Sequence, residues 1–464
     1  MENGFDPAIF ARRRVEFMKR MGSGVAILAS APEALRNGDV HHGYRQDSDF
    51  YYLTGFSEAG SIALIAPDHP EHKFVLFVPK RDRAMETWHG RRAGPEGAVK
   101  DFGADAAFTL EEADKLIPGY LENVRRLLAD LMGNSAFAEK VKSWVGTVKR
   151  KQREGVFAPT EFIAPGEIIH PMRLIKDDDD LRFMRRATQL TAEGHIEGMK
   201  ATRPGMMEYE VQAVMEGYWK QKGCKREGYG SIVAGGENAT ILHYVTNDAE
   251  LKDGELLLVD AACEYGLYSG DITRTWPING EFTPVQRKVY DCVLEAQLAA
   301  IDRCREGVSF IDVHWAAVEV LTRGMVEMGL LEGDPAEIIA TQKQWEEDVK
   351  AKKVDLSKDK APRTYFEFYM HKTSHWLGMD VHDVGGYNED GGYRALKAGN
   401  ILTVEPGIYV RPDSTDVPEE YRGIGIRIED DVLVTTGEPD VLTAAVPKSA
   451  EEIEKLMAAS RAGV

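Results

Sequence analysis

The sequence predicts an α+β protein in two parts, a smaller α/β domain over residues 1–172 and a larger α+β domain over residues 173–464. Three observations carry that expectation. At 464 residues the chain exceeds what one hydrophobic core usually organises. Helical and strand-like text alternates in the first part, then gives way to long amphipathic helices followed by strands. A ten-residue frame, LKDGELLLVD at 251–260, returns as LKAGNILTVE at 396–405 with five of ten positions identical. That repeat points to two related halves folded face to face about a pseudo-twofold axis.

The elements follow in order. PAIFARRRVEFMKRM spaces its apolar residues as an amphipathic helix does. GVAILAS, DFYYLTGF, SIALIAP and KFVLFVP are short runs of β-formers between turns and are expected as strands. KLIPGYLENVRRLLADLM (115–132) has helical spacing, and the domain closes before IIHPMRLIK (168–176). KDDDDLRFMRRATQLTAEGHIEGMK opens the second domain with a long helix. Its four aspartates sit where acids cap the first turn and complement the helix dipole, which is a better account of them than a cation site. EYEVQAVMEGYWKQKG and TPVQRKVYDCVLEAQLAAIDRC are two further helices. From Tyr229 onward strands and turns dominate. KQWEEDVKAKKVDLSKDKAPRT (343–364) mixes charges of both signs with little apolar content and reads as a solvated helix or surface excursion.

A hydrophobic share of 43% with 29% charged residues is that of an ordinary globular protein rather than a disordered one. The net charge of −19 and pI near 5.2 exclude the broad basic face that nucleic acid or an anionic membrane requires. The uncharged stretch GSGVAILASAP (22–32) is far too short to span a bilayer and lacks the flanks of a signal peptide, so a cytoplasmic location is expected. Cys224, Cys263, Cys292 and Cys304 form no CxxC pair or zinc-knot spacing and are expected as free thiols.

The chemistry lies in the repeated frame. Each copy runs from a Lys-x-Gly turn into β-formers and stops on an acid, Asp260 or Glu405. After the first, the turn EYGLYSG leads into DITRTWPI and is expected to place Asp271 on the return strand of a hairpin. After the second, GIRIEDDVLV is expected as a strand carrying Glu429. Four carboxylates then converge. Acids usually face water, but these follow apolar runs such as LLLVD and ILTVE, where a side chain belongs to a buried strand. Buried carboxylates raise one another's pKa unless a cation neutralises them. Hard oxygen ligands with one imidazole suit manganese or a similar divalent ion and tolerate zinc, cobalt or iron. The imidazole is sought in HKTSHWLGMDVHDVG, which offers His371, His375 and His382; spacing alone leaves the choice among them open.

These residues resemble the dinuclear metallopeptidases of the pita-bread fold, the group that holds methionine aminopeptidase, prolidase, creatinase and aminopeptidase P. YRQDSDFYYLTGF, WHGRRAG, ENATILHY, DAACEYGLYSGDITRTWP, HKTSHWLGMDVHDVG, TVEPGIYV and YRGIGIRIEDD are most similar to the aminopeptidase P (Xaa-Pro aminopeptidase) branch, from Tyr44 to the C-terminus. The segment 343–364 is longer than the connection usual in that group.

The resemblance implies two divalent metal ions, Mn2+ first among them, held by Asp260, Asp271, His375, Glu405 and Glu429, with Asp271 and Glu429 bridging. It implies Glu405 as acceptor of the attacking water's proton, His382 as donor to the developing oxyanion, and His243 as a positioning group. It further implies His371 and Tyr387 around the substrate, Arg427 near the substrate or supporting the Glu429 strand, and Trp88 reaching a neighbouring subunit of a homodimer or homotetramer. The implied substrates are peptides with an N-terminal Xaa-Pro pair. Such a bond needs its own enzyme, because proline's nitrogen has no hydrogen and its ring fixes φ and restricts the residue before it. The alternatives are a prolidase confined to dipeptides, a creatinase-like amidinohydrolase, and a peptide-binding relative that has lost catalysis.

Overall fold

The structure is a computed structural model and describes residues 6–462. The chain divides into two compact units, the first ending at Met172 and the second beginning at Arg173.

The first unit is built on a six-stranded mixed sheet. Its strands are β1 (Val25–Ala29), β2 (Ile62–Ile65), β3 (Phe74–Val78), β4 (Ala106–Thr109), β5 (Arg126–Leu128) and β6 (Glu161–Ile163), in the order β4-β3-β2-β1-β5-β6. Helix α1 (Pro7–Met21) precedes it, with the Asp6 carboxylate accepting from the Ala8 N–H.

Two expected elements differ. DFYYLTGF is a helix, α2 (Ser48–Thr54), not a strand. The Asp47 carboxylate accepts from the Phe50 N–H at 2.8 Å, and Gly55 ends the helix in the left-handed region at φ 65. These caps outweigh the strand preference of the aromatics. Because every residue of this helix from Phe50 to Thr54 is buried, no apolar stripe is left to betray the helical period. KLIPGYLENVRRLLADLM is likewise not one helix. It splits into α3 (Ala113–Tyr120) and the parallel strand β5, with a turn at Asn123 (φ 59) between them.

The second unit shows the two halves. Each has a pair of packed helices followed by antiparallel strands: α4 (Asp178–Ala201) and α5 (Glu208–Gln221) in the first, α6 (Pro284–Ile301) and α7 (Phe310–Glu327) in the second. The aspartates of α4 form a reciprocal cap, Asp180 N–H on Asp177 at 2.8 Å and Asp177 N–H on Asp180 at 3.0 Å. In the first half β8 (Leu256–Asp260) lies between β7 (Ile232–Gly235) and β9 (Thr273–Pro277), antiparallel to both. In the second, β10 (Ile401–Val404) is followed by β11 (Gly407–Tyr409), which pairs with β12 (Gly425–Arg427). β10 itself pairs with β13 (Asp430–Leu433), and β13 with β14 (Asp440–Val441).

Asp271 and Glu429 sit at interruptions rather than within strands. Asp271 lies two residues before β9, because EYGLYSG forms its own small ribbon with Leu267 at φ 64. Glu429 occupies the break between β12 and β13. At these breaks the halves are stitched together. The Glu429 N–H donates to the Thr273 carbonyl at 3.0 Å, and Thr275 Oγ1 both donates to the Arg427 carbonyl at 3.1 Å and accepts its N–H at 3.3 Å. Arg274 and Asp430, both fully buried, form an ion pair of 2.7 Å between β9 and β13. α8 (Pro335–Lys350) and an irregular stretch to residue 364 account for the charged segment, as a helix end and surface excursion.

Candidate metal centre

Where β8, β9, β10 and β12 end, both halves line one cleft of about 500 Å³. Asp271, His375 and Glu429 each present a ligand atom there, all within 4.8 Å of one another. His375 Nε2 stands 3.3 Å from Asp271 and 3.7 Å from Glu405. Its Nδ1 lies 3.0 Å from the Trp376 carbonyl, which can only accept, so Nδ1 carries a hydrogen and Nε2 is the ring atom that faces the carboxylates. The Tyr229 hydroxyl lies 2.5 Å from both Asp260 and Asp271 and ties these two acids together. Thr273 Oγ1 donates to Glu429 at 2.6 Å, and the Asp271 N–H donates to Asp431 at 3.0 Å.

The electrostatics call for a cation. Burial, then the Asp260 charge, raises Asp271 above the usual carboxylate range. Burial and then Asp271 raise Glu429, and burial pushes Glu405 up to about 8. His375 is driven the other way: although burial alone would lower it, its hydrogen bond to Asp271 and the charge of Glu405 lift it to about 9. Acids that resist losing protons around an imidazole that resists losing its own mark a place where positive charge is wanted. Next to them Asp431 Oδ1 is buried without a hydrogen-bond partner among the described residues. One imidazole among hard carboxylate oxygens is a donor set that fits a divalent ion.

Around this core a second set of contacts is directional. Arg427 donates to Asp260 at 2.6 Å, to the Tyr409 hydroxyl at 2.9 Å and to Thr273 Oγ1 at 3.1 Å. The Tyr409 oxygen thus accepts from Arg427, and its hydrogen goes to His371 Nε2, 2.9 Å away. His371 Nδ1–H then donates to the Lys372 carbonyl at 2.9 Å. This run of donors requires a neutral His371, in keeping with burial and Arg427 lowering it to about 3.

The structure brings Asp260, Asp271, His243, His371, His375, His382, Glu405, Arg427 and Glu429 to the cleft lining. His382 is exposed there, its ring edge-on to His375 with centroids 4.4 Å apart. Two expected residues lie elsewhere. Tyr387 does not line the cleft: its ring stacks on Trp376 at 5.5 Å and its hydroxyl accepts the Trp376 N–H at 3.2 Å, so it braces the chain behind His375. The tyrosine beside His371 and Arg427 is Tyr409. Trp88 belongs to the first unit, on the helix Arg83–His89, and is 82% exposed.

Supports not foreseen from the sequence hold the cleft's loops. Glu208, fully buried at the start of α5, accepts from Gly235 N–H, Asn238, Tyr244 and Ala249 N–H at 2.7–3.0 Å and so fixes the loop that carries His243. Asp383, next to His382, takes Arg173 at 2.6 Å and Lys176 at 2.9 Å. Against the burial that would raise it, Lys176 and Arg173 hold Asp383 below the usual carboxylate range. Tyr229, Tyr409 and Thr273 carry no motif of their own. Their one sequence signal is position, on or beside the strands that deliver the acids.

A pseudo-symmetric domain with carboxylates from both halves meeting one imidazole defines a metallopeptidase of the pita-bread class. The chain belongs to metallopeptidase family M24: residues 182–436 match that family's model, and residues 10–128 match the aminopeptidase P N-terminal domain. It is 40% identical over 455 residues to Xaa-Pro aminopeptidase of Escherichia coli (strain K12), covering 97% of this chain and 98% of that one. Among solved structures it is similar to Pseudomonas aeruginosa aminopeptidase PepP, with a TM-score of 0.93, 44% identity and 99% of each chain covered. It is similar as well to an Escherichia coli aminopeptidase P variant in complex with substrate, with a TM-score of 0.91, 38% identity and full coverage of both chains.

Proposed function

We propose that this protein is an Xaa-Pro aminopeptidase, a hydrolase that removes the N-terminal residue from peptides with proline second. The observation that carries the reading is the meeting of Asp260, Asp271, His375, Glu405 and Glu429 at one cleft, in a chain matching Xaa-Pro aminopeptidases along nearly its whole length. Asp260, Asp271, His375, Glu405 and Glu429 would hold two divalent ions, with Mn2+ preferred and Zn2+, Co2+ or Fe2+ accepted. When bound, the ions supply Lewis acidity toward the scissile carbonyl and the attacking water.

The chain's own groups do the rest. Glu405, at the cleft with no guanidinium in contact, accepts the proton of the attacking water and can pass it to the leaving proline nitrogen. His382, which lines the cleft edge-on to His375, has a ring N–H to give to the oxyanion. His243, on the loop held by Glu208, closes the other side of the substrate. Arg427 and Tyr409 hold Asp260 and His371 in place for the proline-containing end. The first unit governs access and assembly, with Trp88 offered to a second copy in a cytoplasmic homodimer or homotetramer. No nucleic acid or membrane takes part; no helix among the described residues is long and apolar enough to cross a bilayer.

The test is hydrolysis of Ala-Pro-Ala and of the dipeptide Ala-Pro by metal-stripped protein, repeated after adding Mn2+, Zn2+ or Co2+. Release of alanine from the tripeptide on adding metal is expected. Cleavage of the dipeptide alone makes the protein a prolidase, and metal binding without any turnover makes it a non-catalytic relative.

A further inference from the structure

The larger cavity of the second unit is not the metal cleft. About 990 Å³ opens between the end of α8, the segment 351–364 and the chain that enters the histidine segment, against about 500 Å³ at the carboxylates. His371 and Lys372 line both spaces, which therefore meet at these two residues. An aminopeptidase holds one residue on the amine side of the bond it cuts. Of a single substrate, only the chain beyond the proline has the length to enter a space of this size.

The wall has a definite chemistry. Trp345, Leu356 and Phe366 give it an apolar surface, and Leu356 and Phe366 are 70% and 44% exposed. Large apolar side chains left facing solvent in a concavity mark a surface that binds something. The charges around them are unbalanced. Glu367 and Asp416 are both taken by Arg363, at 3.2 and 3.4 Å, and Glu346 accepts from Gln342 at 3.1 Å, whereas Lys350, Lys360 and Lys372 make no ion pair among the described residues. In a chain of net charge −19, a cavity lined by Lys350, Lys360, Arg363 and Lys372 against Glu346, Glu367 and Asp416 has a local balance of the opposite sign and favours carboxylates.

We propose that this cavity is a subsite for the part of the substrate that follows the proline, selecting apolar residues accompanied by acidic ones; it rests on the Xaa-Pro aminopeptidase reading above. The charged segment 343–364 is thereby the wall that gives this enzyme a preference for longer peptides.

The test compares Ala-Pro-Ala, Ala-Pro-Ala-Leu-Glu-Leu and Ala-Pro-Ala-Gly-Lys-Gly on the full-length, metal-loaded enzyme. The Leu-Glu-Leu extension is expected to lower KM about tenfold relative to the tripeptide with little change in kcat, the scale of one apolar contact plus one ion pair. The Gly-Lys-Gly extension is expected to give no gain. In the double variant Lys350→Glu/Lys360→Glu the advantage should vanish while Ala-Pro-Ala kinetics stay unchanged, and Leu356→Asp should weaken it independently. Fluorescence anisotropy of labelled Pro-Ala-Leu-Glu-Leu should show the same loss of binding. An equal KM for tripeptide and Leu-Glu-Leu hexapeptide in the wild type, or an advantage that survives in both variants, overturns the subsite. Failure to cleave Ala-Pro-Ala with any metal overturns the enzyme reading, and the subsite with it.

Discussion

The two copies of the ten-residue frame deliver their acids to the same cleft but into different company. Asp260, the last residue of β8, meets Arg427 at 2.6 Å and Tyr229 at 2.5 Å. Glu405, one residue past β10, has no such cation in contact: His375 at 3.7 Å and His371 at 3.6 Å are its nearest basic groups. The surrounding strands differ too. Asp260 sits opposite Thr273 in its ladder, whereas β10 faces β13 from Val404 and Asp430 backward, leaving Glu405 beyond the last pair. A repeated backbone therefore sets where an acid goes, and its neighbours set what it does. Asp260 is fixed by a guanidinium and a phenol; Glu405 has neither in contact, which is the contrast behind the proton-accepting role proposed for it.

The sharpest way to break that contrast is Glu405→Ala. It should lose nearly all turnover, about 10²–10⁴-fold from the missing general base alone and more through the missing ligand, together with one equivalent of metal by mass spectrometry. Normal activity in the purified variant would falsify the assignment. The joint between the halves is tested next by Arg274→Met, which strands Asp430 in the interior with only Lys448 to balance it. Breaking one partner of a buried pair costs about 3–5 kcal/mol, read as a lower denaturant midpoint. A midpoint equal to the wild type's would mean that the pair does not hold the halves together. His382→Ala follows, with both ions retained and kcat reduced about 10²–10³-fold, the worth of one oxyanion donor. Unchanged turnover removes His382 from the reaction.

How much of this could be read beforehand depended on whether a residue's neighbours lie along the chain or across it. The repeated frame was legible because each copy is a local pattern, an apolar run closed by an acid. Asp177–Asp180 were legible as a cap for the same reason. Asp271 and Glu429 were read as strand residues because alternation continues through them; the interruptions come from cross-half contacts such as Glu429 N–H on Thr273. DFYYLTGF misled because burial on all sides erases periodicity, leaving only aromatic strand preference to read. Tyr387 and Tyr409 each follow a glycine-bearing stretch near the histidines. Nothing local says which will stack behind Trp376 and which will stand between His371 and Arg427.

The smallest expected effect probes the one residue that bridges the acids of the first half. Tyr229→Phe keeps the ring and removes the hydroxyl, so packing should survive while Asp260 and Asp271 lose a shared donor. Losing one hydrogen bond to a charged group costs about 1.5–3 kcal/mol, and removing a residue that orients metal ligands lowers affinity about 10–100-fold. The variant should therefore need more metal for half-maximal activity, yet approach wild-type turnover once saturated, because Glu405 and His382 are untouched. The second half offers no equivalent phenol on Glu405, so the defect should be confined to the ion nearer Asp260. Two metal equivalents weakened together would mean that Tyr229 organises the whole cleft, and the division of labour between the frames would have to be redrawn.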